Sequence, residues 1–372
     1  MRIAFFIKRA ARTGSEIALC NFIWYAVTNG VDVCVAARYG GELLDQLPPN
    51  VPVFVYDQWR WTKRKYAGLL RRLRGDGNGF TSFVHATFAP DVWYVNTIVQ
   101  PDCVWEAKRK GVKCVLHSHE LEHMLTHVPE ESAAILVGYP QLVLAASNAS
   151  RHVLECLGRR DDIEVCYPSI NPLLIKPDSD NVKKLRRELA VGDETFVWAM
   201  AGTLDPNKNP ARFVSIALEL LRKGHDVHFI WLGDFDSVYA LYVKQMAQQS
   251  GFAEKITFLG ARTHDYYDWL NAADAVVITS FKESFSLIAV EAAHLGKPVV
   301  SFDSGGITEI MLEGMGAVID SWNDTDLIRA MVGVMNGGIP FNRVVAENRA
   351  REFSVDVQGQ RWLQLLTKYF GA

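Results

Sequence analysis

The chain has 372 residues, of which 49% are hydrophobic and 22% charged, and its formal net charge at pH 7 is −3. This length predicts two domains, since it lies at the upper end for one. The mildly acidic balance argues against a nucleic-acid-binding protein, which would carry a basic surface. The six cysteines are scattered without a C-x-x-C pair, so we expect no zinc ribbon and a reducing, cytoplasmic compartment.

The first half alternates short β-branched or aromatic runs with polar loops and amphipathic stretches, which is typical of βαβ units around a parallel sheet. The first apolar run is followed at once by Lys8 and Arg9, so it indicates a buried strand rather than a signal peptide. A helix is predicted over Ser15–Thr28. The predicted strands are Ile3–Ile7, Val31–Ala36, Val51–Tyr56, Val92–Asn96, Val112–Leu116 and Leu142–Ala145.

The second half repeats this pattern. Its predicted strands are Phe196–Ala201, Val227–Leu232, Ile256–Phe258, Ala275–Ile278 and Pro298–Phe302, and its predicted helices are Pro210–Leu221, Tyr239–Gln249, Tyr266–Asn271 and Phe285–Leu295. Two prolines in Tyr167–Pro172 predict an extended linker between the halves.

The pattern therefore predicts an α/β fold of two Rossmann-like domains, 1–168 and 173–354, with an amphipathic helix at 355–372 packed back on the first domain. Parallel sheets bind ligands at the carboxyl ends of their strands, so we expect the chemistry in a cleft between the two sheets. No apolar run reaches the roughly 20 residues of a membrane-spanning helix, so membrane contact is expected to be peripheral.

The most informative stretch is Ser280-Phe-Lys-Glu-Ser-Phe-Ser-Leu-Ile-Ala-Val-Glu-Ala292. Glu283 stands in the loop before the predicted helix, where a carboxylate can reach a ligand, and Glu291 stands about two turns along the helix. The backbone N–H groups of Ser286, Leu287 and Ile288 open this helix and can bind a diphosphate.

This segment resembles the E-x7-E motif of the retaining glycosyltransferases of family 4, which have the GT-B fold. The resemblance implies that Glu283 contacts a donor sugar, that the amides of Leu287 and Ile288 hold its diphosphate, and that Glu291 hydrogen-bonds the nucleotide ribose. An isolated pair of glutamates at this spacing would more often lie on the surface of an ordinary helix. The neighbouring motifs favour the functional interpretation.

Three further segments of the second half resemble the same family. Ala201-Gly-Thr-Leu-Asp-Pro-Asn-Lys-Asn209 is similar to its G-R-L-x-x-x-K-G loop, which implies that Lys208 neutralises the leaving diphosphate; Thr203 stands where the family has Arg, and Arg212 or Arg262 is the candidate replacement. Phe258–Arg262 is similar to its base-reading loop. Ser304-Gly-Gly-Ile-Thr-Glu309 resembles its G-G-x-x-E turn, and paired glycines indicate a close backbone approach or positive φ.

In the first half, Arg12-Thr-Gly-Ser-Glu16 is a reduced form of the family's glycine-rich loop, and the amide of Gly14 is expected to face the donor phosphates.

His117-Ser-His-Glu120 ends a predicted strand, and the resemblance implies that His119 lies near donor sugar and acceptor. The same stretch is also a literal H-E-x-x-H, His119-Glu-Leu-Glu-His123, which in zinc hydrolases lies on one helix face and binds the metal. Its position after a strand argues against zinc.

A local basic segment interrupts the mildly acidic chain. Tryptophans and leucines accompany seven basic residues: Arg60, Lys63, Arg64, Lys65, Arg71, Arg72 and Arg74. The pattern favours an anionic membrane surface or a phosphorylated lipid acceptor, and a solvated basic helix remains the alternative.

Taken with the resemblance, these motifs predict a retaining glycosyltransferase. It would move a sugar from a nucleoside-diphosphate sugar to a glycan or lipid-linked acceptor, at the inner face of the membrane, in bacterial surface polysaccharide or glycolipid assembly. The resemblance implies no metal and no other cofactor, although D-x-D triplets occur at Asp178–Asp180, Asp234–Asp236 and Asp324–Asp326. A sugar-nucleotide epimerase and a catalytically silent binding subunit stay open because fold alone does not separate them.

Overall fold

The computed structural model describes residues 1–56, 78–233 and 237–371. The chain divides into two compact units: the first is Met1–Ser169 with Ser354–Ala372, and the second is Ile170–Phe353. This division falls inside the linker predicted at Tyr167–Pro172. Among the described helices, none is long and apolar enough to cross a bilayer.

The first unit contains a seven-stranded parallel sheet in the order β3-β2-β1-β4-β5-β6-β7. Its strands are β1 (Arg2–Arg9), β2 (Asp32–Tyr39), β3 (Val53–Val55), β4 (Val92–Val95), β5 (Lys113–Ser118), β6 (Leu142–Ala145) and β7 (Ile163–Val165). Its described α-helices are α1 (Gly14–Thr28), α2 (Asn78–Phe88), α3 (Pro101–Lys110), α4 (Glu130–Gly138), α5 (Asn148–Cys156) and, after the second unit, α13 (Val355–Phe370).

Helices cover both faces of this sheet, which is why its central strands are continuous apolar runs rather than alternating ones. One face packs beneath α1 and α13 and the other beneath α2 to α5. Trp362 of α13 stacks on Phe22 of α1 with ring centroids 5.4 Å apart, and its indole N–H donates to the Tyr94 hydroxyl at 3.2 Å. The last helix of the chain is therefore part of the core of the first unit.

The second unit contains a six-stranded parallel sheet in the order β10-β9-β8-β11-β12-β13. Its strands are β8 (Phe196–Ala201), β9 (Val227–Leu232), β10 (Ile256–Gly260), β11 (Ala275–Ile278), β12 (Val299–Phe302) and β13 (Gly316–Ile319). Its described α-helices are α6 (Ser179–Glu188), α7 (Pro210–Arg222), α8 (Val238–Gln248), α9 (Tyr266–Ala272), α10 (Leu287–His294), α11 (Asp324–Met335) and α12 (Arg343–Glu352).

Counted from its own first strand, the second sheet has the Rossmann order 3-2-1-4-5-6, and the first sheet has the same order with one more strand. The strand order reverses between β1 and β4 in the first unit and between β8 and β11 in the second. Loops that leave neighbouring strands at such a reversal diverge and leave a crevice. The α/β fold of two Rossmann-like domains is thus confirmed, and each unit has its own crevice for a ligand.

Candidate functional site

The loops that follow β8 and β11 are joined at the reversal point of the second sheet. The Asn207 side chain donates to the Lys282 carbonyl at 2.9 Å and accepts from the Lys282 amide at 3.2 Å. The Asn207 carbonyl accepts from the Phe281 amide at 2.8 Å. These bonds fix the loop of Lys208 against the loop of Glu283, so two segments far apart in sequence form one surface.

Lys208 and Glu283 form an ion pair on that surface. The Lys208 ammonium donates to Oε1 of Glu283 at 2.5 Å, and the Ser280 hydroxyl donates to the same oxygen at 2.6 Å. The Glu283 side chain is 6% exposed and the Lys208 side chain 24% exposed. An ammonium has three N–H donors, so Lys208 can hold Glu283 and still donate to an anion. The pair brings together two of the three predicted catalytic residues.

Two glycines allow this close packing. Gly202 has φ +152°, and a Cβ there would lie 3.1 Å from the aliphatic carbons of Lys208. Gly306 donates its amide to the Glu283 carbonyl at 2.8 Å, and a Cβ there would lie 2.0 Å from the Ser284 carbonyl oxygen. Glycine is the residue that permits such approaches. The G-G turn therefore holds the backbone of Glu283 in place.

Helix α10 begins beside this pair with Ser286 as its N-cap residue. The first N–H groups of any α-helix have no partner within the helix, so the amides of Leu287 and Ile288 form an anion-binding end. The Ser286 hydroxyl is buried at this end and makes no cap hydrogen bond. Among the described residues it has no hydrogen-bond partner, and neither does the buried hydroxyl of Ser304. Unmatched buried hydroxyls are costly, and a ligand would satisfy them.

Glu291 is buried inside the same helix. Its two carboxylate oxygens accept from Tyr266 at 2.8 Å and Tyr267 at 3.2 Å, both on α9. Each carboxylate oxygen accepts more than one hydrogen bond, so a ribose hydroxyl could still bind there. The role in ribose binding stays a prediction, and the structure adds two tyrosines that position this carboxylate.

The two arginines considered as replacements for the missing Arg at Thr203 are engaged elsewhere. Arg212 donates to Asp324 and to the Trp322 carbonyl, each at 2.5 Å, and lies over the Phe302 ring. Arg262 makes a two-point ion pair with Asp265, which lowers the pKa of that carboxyl. Thr203 itself is exposed. Lys208 is therefore the cation that the structure places beside Glu283.

In the first unit, His119 follows β5 and lies near the reversal point of that sheet. Its Nε2 lies 3.0 Å from Oδ1 of Asn96, and the Asn96 amide donates weakly to the Ser15 carbonyl at 3.5 Å. Because the Asn96 oxygen only accepts, Nε2 carries the proton in this arrangement. The surrounding protein dehydrates the ring and lowers the pKa of His119 to about 3. His119 is thus neutral at pH 7.

The neighbouring residues explain why His119 rather than His117 can meet a ligand. His117 is fully buried, and its Nδ1 is bonded to the Tyr94 hydroxyl at 2.6 Å. His119 keeps partial exposure, and its partner Asn96 also contacts the Ser15 carbonyl in the first turn of α1, the helix that begins at Gly14. Glu16, in the first turn of α1, is dehydrated by burial, which raises the pKa of its carboxyl.

The H-E-x-x-H stretch does not have the geometry of a zinc hydrolase. His119 and Glu120 lie in a loop, and a 3-10 helix begins only at Glu122, so His119 and His123 do not share an α-helical face. Glu120 accepts from the Thr97 hydroxyl, the His119 amide and Ser118. In the described ranges no three His, Cys, Asp or Glu side chains form a group that could hold a metal.

Two of the three D-x-D triplets have structural roles. Asp178 caps α6 by accepting from the amides of Asp180 and Asn181. Asp324 pairs with Arg212, and Asp326 accepts from Ser321 and Arg329. The triplet Asp234–Asp236 and the basic segment that contains Arg60, Lys63, Arg64, Lys65, Arg71, Arg72 and Arg74 lie outside the described residues.

Several site residues were not singled out from the sequence. They are Asn96, Asn207, Ser280, Ser304, Tyr266 and Tyr267. Asn96, Ser280 and Ser304 each stand one or two residues past the end of a parallel strand, where binding residues concentrate. Their position after a strand could have identified these three residues from the sequence. Nothing in the sequence indicates that the two tyrosines reach Glu291.

The two Rossmann-like domains have the fold of the GT-B class. Anabaena HepE, crystallised with UDP and glucose, is similar with a TM-score of 0.82 and 22% identity, and the likeness covers 99% of this chain and 100% of that one. Sucrose-phosphate synthase from Thermosynechococcus elongatus is similar with a TM-score of 0.79 and 16% identity, covering 100% and 99%. At these identities the likeness shows the fold alone, and it agrees with the predicted GT-B class.

The family match lies within the second unit. Residues 181–352 match the model of a family described as "Glycosyl transferases group 1". The D-inositol 3-phosphate glycosyltransferase of Stackebrandtia nassauensis is 26% identical over 287 residues, or 71% of this chain and 62% of that protein. The Mycobacterium marinum enzyme of the same name is 30% identical over 200 residues, or 50% and 41%. The chain therefore spans less than two thirds of the length of these curated relatives.

Proposed function

We propose that the chain is a retaining glycosyltransferase that moves a sugar from a nucleoside-diphosphate sugar to a hydroxyl of a glycan or glycolipid acceptor. The observation that carries the proposal is the constellation at the reversal point of the second sheet. There the Lys208 ammonium is bonded to Glu283, and the buried Ser286 hydroxyl has no partner among the described residues. A diphosphate needs such a cation and such donors.

The same groups would lower the barrier to transfer. Breaking the bond between the sugar and the diphosphate leaves negative charge on the leaving group. Lys208 and the amides of Leu287 and Ile288 are fixed before the reaction, so they stabilise that charge without reorganisation. Glu283 accepts from Lys208 and Ser280 through one oxygen, Oε1, in the described structure. Its other oxygen is the group that would bind a hydroxyl of the donor sugar.

The first unit would hold the acceptor. His119 is neutral at pH 7 with its proton on Nε2, so Nδ1 is available as an acceptor for a substrate hydroxyl. We propose that His119 orients the donor sugar and the acceptor, and that Gly14 lies near the donor phosphates. Retention of configuration and the absence of a metal requirement are part of the proposal and derive from the family resemblance.

The donor of first choice is a UDP-sugar, because HepE binds UDP and glucose and has the same fold over the whole chain. The Stackebrandtia and Mycobacterium relatives are named D-inositol 3-phosphate glycosyltransferases, which favours a phosphorylated or lipid-linked acceptor. We place the reaction in bacterial surface polysaccharide or glycolipid assembly at the inner face of the membrane, with the basic segment as the contact to anionic lipid.

A thermal-shift screen of UDP-, GDP-, ADP- and dTDP-sugars tests the donor, since a bound ligand raises the melting temperature. The stabilising donor is then incubated with acceptors in EDTA, and nucleotide release and the anomeric proton coupling of the product are measured. We expect that UDP is released and that the transferred sugar keeps its anomeric configuration. Interconversion of sugar nucleotides without UDP release would indicate an epimerase instead, and binding without turnover would indicate a silent subunit.

A further inference from the structure

A cavity of about 240 Å³ lies in the first unit, apart from His119. It is bounded by the end of β2, the start of α2 and the start of α3, and Arg38, Thr81 and Gln100 are among the lining residues. Sites for drug-sized ligands usually measure roughly 300–1,000 Å³, so this cavity suits a single small ring.

Two polar groups in the cavity wall have no hydrogen-bond partner among the described residues. Thr81 is 4% exposed and Gln100 2% exposed, and both line the cavity. Among the described residues, the Thr81 hydroxyl and the side-chain amide oxygen of Gln100, Oε1, have no hydrogen-bond partner. Gln100 is the N-cap residue of α3, but its side chain makes no cap bond. Burying such groups without partners costs free energy, so they indicate a ligand with hydroxyl or N–H groups.

The rest of the wall combines aromatic rings with an ion pair. Tyr56 and Phe80 make an edge contact with ring centroids 5.5 Å apart. Arg38 donates to Asp102, and both side chains keep exposed surface. This pair offers N–H donors and carboxylate acceptors with no net charge. Inorganic phosphate is disfavoured here because the Asp102 carboxylate and the side-chain amide oxygen of Gln100 would both repel it.

A saccharide ring matches these groups. Its C–H faces pack on aromatic rings, and its hydroxyls both donate and accept, so they can satisfy Gln100, Thr81 and the ion pair together. Most of the lining residues stand on β1, β2, the start of α2 and the start of α3, whereas His119 follows β5. His119 is not among the residues that line the cavity. The ring in the cavity is therefore not the ring that reacts.

We propose that this cavity is a subsite for one non-reacting saccharide ring of the acceptor. Its identity as an acceptor subsite rests on the proposed function, whereas its binding of a saccharide does not. Binding energy from such a remote ring would position the acceptor without taking part in the chemistry.

The test uses the full chain and methyl glycosides of glucose, galactose, mannose and N-acetylglucosamine, observed by saturation-transfer NMR. The variant Thr81→Val/Gln100→Leu removes both unsatisfied groups at nearly constant shape. The matched control is Thr126→Val/Gln360→Leu, which changes an exposed threonine and an exposed glutamine of the same unit. We expect at least one glycoside to bind the wild type and the control, and to bind the cavity variant at least tenfold more weakly.

Absence of saturation transfer from the wild-type protein to any of the four glycosides would overturn the inference, and so would equal binding to the cavity variant. Displacement of the bound glycoside by free uridine would also overturn it, since the cavity would then be a nucleobase site. Binding of UDP is measured on the same samples by calorimetry. If the wild type binds a glycoside but does not bind UDP, the result counts against the proposed function and still supports the saccharide cavity.

Discussion

The Lys208 ammonium lies 2.5 Å from Oε1 of Glu283, although 75 positions separate the two residues in the chain. Lys208 follows β8 and Glu283 follows β11, which are adjacent in the sheet. The pair therefore exists because of the strand order. Glu283 is nearly buried, so loss of Lys208 would leave a buried carboxylate without its ammonium partner.

The first prediction concerns that pair. Lys208→Met removes the cation that faces the leaving diphosphate, and we expect kcat/KM to fall by about 10²- to 10³-fold, the range found for loss of one preorganised donor. It also leaves Glu283 buried without its ammonium partner, so the free energy of unfolding should fall. Initial-rate kinetics and urea unfolding measure the two effects.

A double variant separates catalysis from stability. Lys208→Met/Glu283→Gln has no uncompensated charge, so its stability should recover while its activity stays low. Lys223→Met, which removes an exposed lysine paired with Glu219 on α7, is the matched control and should change neither. Full activity in the double variant would contradict the assignment.

The second prediction concerns Ser286, whose buried hydroxyl has no partner within the described residues. Ser286→Ala should change the free energy of unfolding by no more than about 0.5 kcal/mol, because no folded-state hydrogen bond is lost. Affinity for UDP should fall several-fold, because the diphosphate loses a donor. Calorimetry with UDP and urea unfolding test both statements.

Ser354→Ala provides the opposite case. Ser354 is the N-cap of α13 and accepts from the Val357 amide, so its loss should cost about 0.5–2 kcal/mol of stability and leave UDP binding unchanged. If Ser286→Ala destabilised the protein like Ser354→Ala and kept full UDP affinity, Ser286 would be a structural cap.

The third prediction concerns Gly306. A Cβ at this position would lie 2.0 Å from the Ser284 carbonyl oxygen, so Gly306→Ala must displace the loop that holds Glu283. We expect a loss of stability of about 1–3 kcal/mol together with weaker UDP binding. Gly192→Ala is the control, because its Cβ would meet only the Thr195 hydroxyl at 3.9 Å. Equal behaviour of the two variants would show that the close approach is not needed.

The fourth prediction concerns the protonation of His119. Burial lowers its pKa to about 3, whereas the unfolded chain protonates histidine near pH 6.5. Between these values the unfolded state binds more protons, so this group makes the protein less stable as pH falls from about 6.5 to 3. Above pH 6.5 it contributes no pH dependence.

NMR titration of the His119 ring protons measures this pKa, with His119→Gln used to assign the signal. The midpoint should lie below pH 4, so protonation of His119 should produce no limb near pH 6.5 in the pH-rate profile of the wild type. A midpoint near 6.5 would mean that the imidazole is hydrated, contrary to the described packing.

Much of the fold follows from local patterns. The strand bounds Phe196–Ala201, Val227–Leu232 and Ala275–Ile278 agree with the structure, because continuous buried apolar runs between turn residues identify parallel strands well. Strands β7 and β13 were not predicted. Each is short, and β13 is only partly buried and begins with glycine, so neither has a strong apolar signal.

The site was predicted in part. Lys208 and Glu283 lie on loops that follow buried strands, as predicted, since polar residues after buried strands are visible in sequence. The helix after Glu283 is predicted from Phe285 but begins at Leu287. The roles of these residues stay predictions. The ion pairs of Arg212 with Asp324 and of Arg262 with Asp265 were not predicted, because the sequence does not show which carboxylate each arginine meets. A side chain's partner depends on distances that spacing does not contain.

The amino-acid sequence by itself determined which segments become strands and helices, which glycines end them, and which charged residues stand where a strand meets a loop. These are properties of short stretches, governed by burial periodicity and backbone sterics. Only the tertiary structure decided that Lys208 meets Glu283, that Tyr266 and Tyr267 hold Glu291, and that Thr81 and Gln100 line one cavity. Such contacts join distant parts of the chain, and their geometry is set by strand order and side-chain packing.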